Sequence, residues 1–391
     1  MSETRPRIRT GLLSGAAYAG MFGFGIVMAL LGAILPLISQ RLHFDLAHAG
    51  NLFLAMNGAM LVTTVAIGPL LDRFGMKAAF VIAPLFVAGA LVLIARVPTF
   101  GALVVAVVFL GAGGGALNQA ANTLIADLHD DPKRKSAALN LLGVFFGFGA
   151  LFIPFIIGSL LSALGLADIL YVGATVSLVP VLSAWLAFPA PRQSEGVPIG
   201  DVLRFARQPL VVAFSLLLFC ESGNEFLLGG YVTTFLTRNL GASVAAASYL
   251  LAAYWGALMV GRIILSRVLL RASGGTLILA SALGVAASVS LLLLAPGLPV
   301  GAVAVVLLGC SIAAIFPTTL GLAGARYPSH SGTVFSILIG VALSGGMTLP
   351  WVAGQFAGSR GVGAGLLLAI VSALAIAGLE LTAARLMKRE N

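Results

Sequence analysis

Two acids four residues apart, Glu221 and Glu225, stand inside the apolar stretch that begins near Pro209. Four residues is just over one helical turn, so both carboxyls project from one face. An acid at the centre of a membrane helix costs roughly 2.5–3.5 kcal/mol on insertion scales, so two of them need a purpose. Burial and like-charge proximity both favour the protonated form of such a pair. A carboxyl that takes and gives up a proton as its access changes is a coupling device; a neutral pair that bonds neighbouring helices is the structural alternative. Glu225 is the first candidate for proton coupling and Glu221 the second. Most of the other acids fall in loops or at helix ends, none well inside a span, and Arg262 is expected to snorkel to the cytoplasm.

Asn118 and Asn122 repeat the one-face spacing, with Gln119 beside them. Amides both donate and accept, which suits the hydroxyls of a sugar, although they also bond membrane helices to one another. Asn57, Gln355 and Asn224 are weaker candidates of the same kind, Asn224 facing away from its glutamate neighbours. Tyr254, Trp255, Phe316 and Trp351 lie in apolar runs and could stack on a pyranose ring; rings at such places also pack or anchor a helix at the interface. The four histidines fall in or near loops without metal-ligand spacing, and Cys220 and Cys310 read as packing residues. No phosphate-binding Gly-x4-Gly-Lys-Ser/Thr loop, nucleophile elbow or zinc pair occurs. No enzyme activity, cofactor, metal or ATP dependence is expected.

These groups need elements that hold them in lipid. Hydrophobic residues make up 60% of the 391 positions and charged residues 9%, against roughly 25% charged in soluble domains. The surface therefore cannot be water-facing throughout. Apolar runs long enough to cross a bilayer start near Gly11, Ala47, Lys77, Thr99, Ser136 and Asp168, then near Pro209, Ser243, Gly275, Pro299, Ser331 and Gly361. The first run is far too long for the core of a signal peptide. An all-α membrane protein of twelve spans follows, with six in 1–188, a polar linker over 189–207 and six in 208–391. With the N-terminus inside, 18 of the 22 Lys and Arg residues fall on the cytoplasmic side, which places both termini there. The net charge of +9 is thus spent on topology, with no nucleic-acid patch.

The two halves carry an internal echo. Gly149-x4-Pro154-x3-Gly158 recurs as Gly345-x4-Pro350-x3-Gly354, and Leu110-Gly111 as Leu308-Gly309, at nearly equal offsets in corresponding spans. Two such matches favour duplication. Paired halves with a substrate site between them are the geometry of alternating access.

Between the second and third spans, Gly68-Pro-Leu-Leu-Asp72-Arg73-Phe-Gly75-Met-Lys77 resembles the signature loop of the major facilitator superfamily. Its glycines permit close approach and a sharp turn, and Asp72 can latch onto a cation or a helix end. Gly68, Asp72, Arg73, Gly75 and Lys77 are the expected gating residues. Leu117-Asn-Gln-Ala-Ala-Asn122, Ser311-Ile-Ala-Ala-Ile-Phe-Pro-Thr318, Gly223-Asn-Glu225 with Gly229, and Leu31-Gly-Ala-Ile-Leu-Pro36 together resemble the fucose-permease-like branch of cation-coupled sugar importers. Asn118 stands where that branch often has a carboxylate, and Gly11–Ile38 lacks the acid found in the first helix of the fucose permease. Coupling through those two places does not carry over.

The resemblance implies the major facilitator fold and a secondary active transporter, and the short loops suit a bacterial inner membrane. The expected activity is proton symport of a small polyhydroxylated solute, a hexose first, bound between helices 1, 4, 7 and 10. Sodium is the alternative ion. A proton-coupled exporter of drugs or amphiphiles and an uncoupled sugar facilitator are the alternatives in function. The expected partners are the small-molecule substrate, the coupling ion and the lipid bilayer, for a monomeric protein.

Overall fold

A computed structural model describes residues 9–129, 131–189, 199–268 and 272–389. Outside the described residues lie Arg5, Arg7, Arg192, Arg271 and most of the polar linker, and so do the side chains of Asp72, Lys133, Arg267 and Arg389.

The described chain is built from helices: α1 (Thr10–Leu42), α2 (Leu46–Arg96), α3 (Phe100–Leu128), α4 (Pro132–Ser177), α5 (Ile199–Ala206), α6 (Pro209–Asn239), α7 (Val244–Val268), α8 (Gly274–Leu293), α9 (Leu298–Ile312), α10 (Ile315–Arg326), α11 (Ser331–Arg360) and α12 (Val362–Arg389). Helix starts follow local chemistry. Thr99 accepts from the Ala102 amide at the head of α3, Asp131 from the Arg134 amide at the head of α4, and Ser273 from the Thr276 amide at the head of α8.

Eleven described segments are long and apolar enough to span a membrane. One of them, Ala137–Trp185, runs for 49 residues, about 74 Å as continuous helix, more than twice the ~30 Å hydrocarbon core. It breaks at Gly165, whose φ of 77° is left-handed, and so makes two crossings. Twelve crossings result among the described residues. α2 breaks in the same way at Gly75, φ 76°, between the spans Leu46–Gly68 and Arg73–Arg96; a left-handed residue there favours glycine. Val65, Leu182, Leu294 and Val371 are largely exposed, as side chains covered by lipid are.

The chain divides into two compact units. Unit 1 holds Met1–Leu30 and Gly58–Ser194; unit 2 holds Leu31–Asn57 and Glu195–Asn391. In unit 1, α1 and α4 meet where neither has a side chain in the way. A Cβ added at Gly149 would collide with the Phe22 carbonyl, and one at Gly25 with the Phe146 carbonyl. In unit 2, α6 is wrapped by α11, α12 and α7. A Cβ at Gly345 on α11 would collide with the Phe219 carbonyl of α6, and one at Gly32 with the Gly229 carbonyl. Glycine in these apolar runs thus sets backbone-to-backbone approach between helices. The short α5 falls inside the stretch that reads as linker in the sequence.

Candidate functional site

α6 is covered on several sides, and its two acids are covered with it. Glu221 is wholly buried and Glu225 is 8% exposed. From α7, the Arg262 guanidinium lies 3.5 Å from the Glu225 carboxylate. The same side chain, expected from the sequence to snorkel to the cytoplasm, keeps 30% of its surface accessible. An ion pair in apolar surroundings gains Coulomb attraction that offsets part of the desolvation cost of both groups. Tyr254, two turns before Arg262 on the same face of α7, is fully buried, and its hydroxyl has no hydrogen-bond partner among the described residues. It interacts electrostatically with Glu221, Glu225 and Arg262. Neither oxygen of Glu221 is in hydrogen-bond geometry with a described residue.

The other residues singled out in unit 2 are distributed around this cluster. Trp255 is 1% exposed and packs its ring on Gly229 and edge-on against Tyr254. In this conformation neither ring offers a face for a solute to stack on. Asn224 is buried and donates to the Ala369 carbonyl of α12 at 3.3 Å, away from its glutamate neighbours. Asn57 is buried and donates to its own helix at Phe53. Trp351 donates from its indole to Asn51, and Gln355 from its amide to the Ala47 carbonyl. These two join α11 to the start of α2. Phe316 is half-buried near the head of α10.

Unit 1 carries the amide row. Asn118, Gln119 and Asn122 are all half-buried on α3. The Asn122 amide donates to the carbonyl of Asn118 at 2.8 Å and to its side-chain oxygen at 3.0 Å. One turn therefore presents a pre-aligned amide pair with Gln119 at its side. Of the gating residues, Gly75 forms the break in α2, Arg73 lies over the Phe74 ring at 5.3 Å, and Lys77 is exposed. Gly68 has open space where a Cβ would be, so no close approach depends on it here.

Two groups escaped the sequence reading. The pairing of Arg262 with Glu225 was missed, although the spacing of Arg262 from Tyr254 sets both on one face of a span. Glu380, in the last span, is 2% exposed with neither oxygen hydrogen-bonded among the described residues. Its closeness to the basic chain end disguised it as a helix-end residue. Glu380 packs against Gly275, where a Cβ would collide with its carboxylate. No group of three or more His, Cys, Asp or Glu side chains able to hold a metal is found among the described residues.

Comparison with known proteins bears on the whole chain. The family model described as Major Facilitator Superfamily matches residues 17–220, just over half of the sequence. The Fosmidomycin resistance protein of Escherichia coli (strain K12) is 24% identical over 353 residues, which covers 88% of this chain and 86% of that protein. Among solved structures, a mutant of the nucleoside transporter NupG superposes with a TM-score of 0.77 at 15% identity, covering 96% of this chain and 99% of that one. A mutant of the Escherichia coli fucose:proton symporter FucP superposes with a TM-score of 0.67 at 19% identity, covering 96% and 99%. Twelve apolar crossings, a glycine break at the signature loop and a family match over more than half its length agree: the chain belongs to the Major Facilitator Superfamily, as a multi-pass membrane transporter and not an enzyme.

Proposed function

We propose that this protein is a proton-coupled secondary transporter that imports a small polyhydroxylated solute, a hexose first. It works in a bacterial inner membrane with both termini in the cytoplasm. The observation that carries the coupling is the buried set of two carboxyls and one guanidinium on α6 and α7. Two acids beside one cation in apolar surroundings cannot all be charged cheaply, so the set changes its charge by binding a proton. A solute that binds more tightly to the protonated form is then drawn along the proton gradient, since a ligand shifts an equilibrium only by its differential affinity. The half-buried Asn118, Gln119 and Asn122 supply donors and acceptors suited to hydroxyl groups. The likeness to the fucose:proton symporter supports the same direction.

A second reading is export. It is favoured by a relative named for fosmidomycin resistance that aligns with 88% of the chain. The same proton chemistry serves it with the solute moving outward.

Uptake of labelled hexoses into proteoliposomes, with and without an inward proton gradient, separates the two. Accumulation that requires the gradient is the expected result. Absence of hexose uptake overturns import, and gradient-driven fosmidomycin uptake by inside-out vesicles would then establish export.

A further inference from the structure

We infer that the transported proton resides on Glu221, and that Arg262 is the positioning residue that keeps Glu225 ionised and so assigns the proton to its neighbour. The inference rests on the proton-coupled reading above and divides its labour between the two acids.

The argument is one of charge balance. Glu221 and Glu225 stand one turn apart on α6, and both are buried. Among the described residues, the charged and titratable groups that act on Glu221 are Glu225 from its own helix, with Arg262 and Tyr254 from α7. α11 and α12, which also pack on α6, bring none to it. One guanidinium can neutralise one carboxylate. It lies 3.5 Å from Glu225, and the carboxyl next to Glu221 is that of Glu225, which brings it no positive charge. An unpaired carboxylate in that setting carries the full desolvation penalty, whereas a carboxylic acid does not. The neutral arrangement is therefore one proton on Glu221 and an ion pair between Glu225 and Arg262.

The exposures fit the same division. Arg262 keeps 30% of its side chain accessible and Glu225 10%, while Glu221 is sealed. The ion pair lies on the accessible side of the cluster, where a change in hydration or an arriving solute reaches it first. Loss of the proton from Glu221 leaves two carboxylates beside one guanidinium, a net charge of −1, so release requires a change in access that hydrates the cluster.

The test needs no substrate. Infrared difference spectra of the purified protein in lipid nanodiscs at neutral pH report protonated carboxyls directly, and the third buried acid, Glu380, cancels in the subtraction. The wild type minus Glu221→Gln spectrum is expected to show the loss of one protonated-carboxyl band. The wild type minus Glu225→Gln/Arg262→Gln spectrum, in which the ion pair is removed as a neutral unit, is expected to show none. A band that survives Glu221→Gln and disappears with Glu225 overturns the inference, and so does a wild type without a band assignable to either acid. Transport gives the matching pair of outcomes. Glu221→Gln should abolish gradient-driven accumulation of labelled hexose, while the Glu225→Gln/Arg262→Gln protein retains it. The reverse pattern makes Glu225 the carrier. A wild type without gradient-driven uptake counts against the transport reading and leaves the spectroscopic result to stand or fall by itself.

Discussion

The α1–α4 crossing of unit 1 and the α6–α11 crossing of unit 2 are built alike and carry different cargo. Gly149 meets the Phe22 carbonyl in one, and Gly345 meets the Phe219 carbonyl in the other. The contact recurs at nearly the same offset as the Gly-x4-Pro-x3-Gly echo. At an offset of 197, the counterparts of Glu221 and Glu225 on α1 are Phe24 and Met28, both buried and apolar. The two crossings share the backbone approach that holds two helices together in lipid, and at these positions the buried acids stand in unit 2 only. A shared crossing has to be preserved in both units because lipid offers no hydrophobic drive for helix association. A coupling site is needed once, and every additional buried acid costs stability.

The comparison breaks first at the glycines. Gly149→Val and Gly345→Val each place side-chain atoms against backbone, which cannot rotate away, so each should cost about 3 kcal/mol or more. Equal losses of thermal stability in detergent are expected for the two. A loss confined to one unit would show that the crossings are not equivalent.

Moving charge gives the next effect. Met28→Glu puts an acid into the unit 1 crossing and is expected to cost roughly 2.5–3.5 kcal/mol, seen as a lowered melting temperature. The opposite exchange, Glu221→Met, removes a buried group with no hydrogen-bond partner among the described residues and should cost less than about 1 kcal/mol. Equal penalties in both directions would contradict the reading that unit 2 tolerates its acids through protonation and pairing.

Much of this was legible in the residues themselves. Composition dictated lipid as solvent, the apolar runs located twelve crossings, and Gly75 marked a turn that the structure realises as a left-handed break. The matching spacing around Gly149 and Gly345 suggested two related halves, while the carbonyl each glycine meets came only from the structure. What could not be read was which face of an all-apolar helix turns inward, since lipid-facing and core-facing positions are equally hydrophobic. Tyr254 and Trp255 therefore looked available to a solute and prove to be sealed. Arg262 and Glu225 are 37 residues apart in sequence, and only the packing of α7 on α6 brings them together.

The amide row sharpens the contrast between units. Asn122→Ala removes donors from α3 without touching the acids of α6, and the lost hydrogen bonds are worth about 1–2 kcal/mol. Half-saturation for a bound solute should rise roughly tenfold while the response to the proton gradient persists. Concentration dependence of hexose uptake checks this.

The smallest expected effect lies in the loop before α2. The Asp45 carboxyl accepts from the His48 amide at 2.9 Å and contacts the His48 ring at 2.7 Å. Those interactions, the backbone one first, hold its pKa below the ordinary 3.8. A depressed folded pKa means that the stabilisation is present above the unfolded value and is lost as pH falls through the folded one. Asp45→Ala should cost about 0.5–1 kcal/mol at neutral pH, and the difference from wild type should shrink below about pH 4. Thermal unfolding of both proteins between pH 3 and pH 7 reports it.

The measurement that bears most directly on the division between units is gradient-driven accumulation set against equilibrium exchange of the same labelled hexose, in proteoliposomes of Glu221→Gln and Asn122→Ala. Accumulation abolished with exchange intact in Glu221→Gln, and accumulation retained with weakened affinity in Asn122→Ala, is the predicted result. Undiminished accumulation in Glu221→Gln, or coupling lost in Asn122→Ala, would contradict the assignment of proton coupling to unit 2.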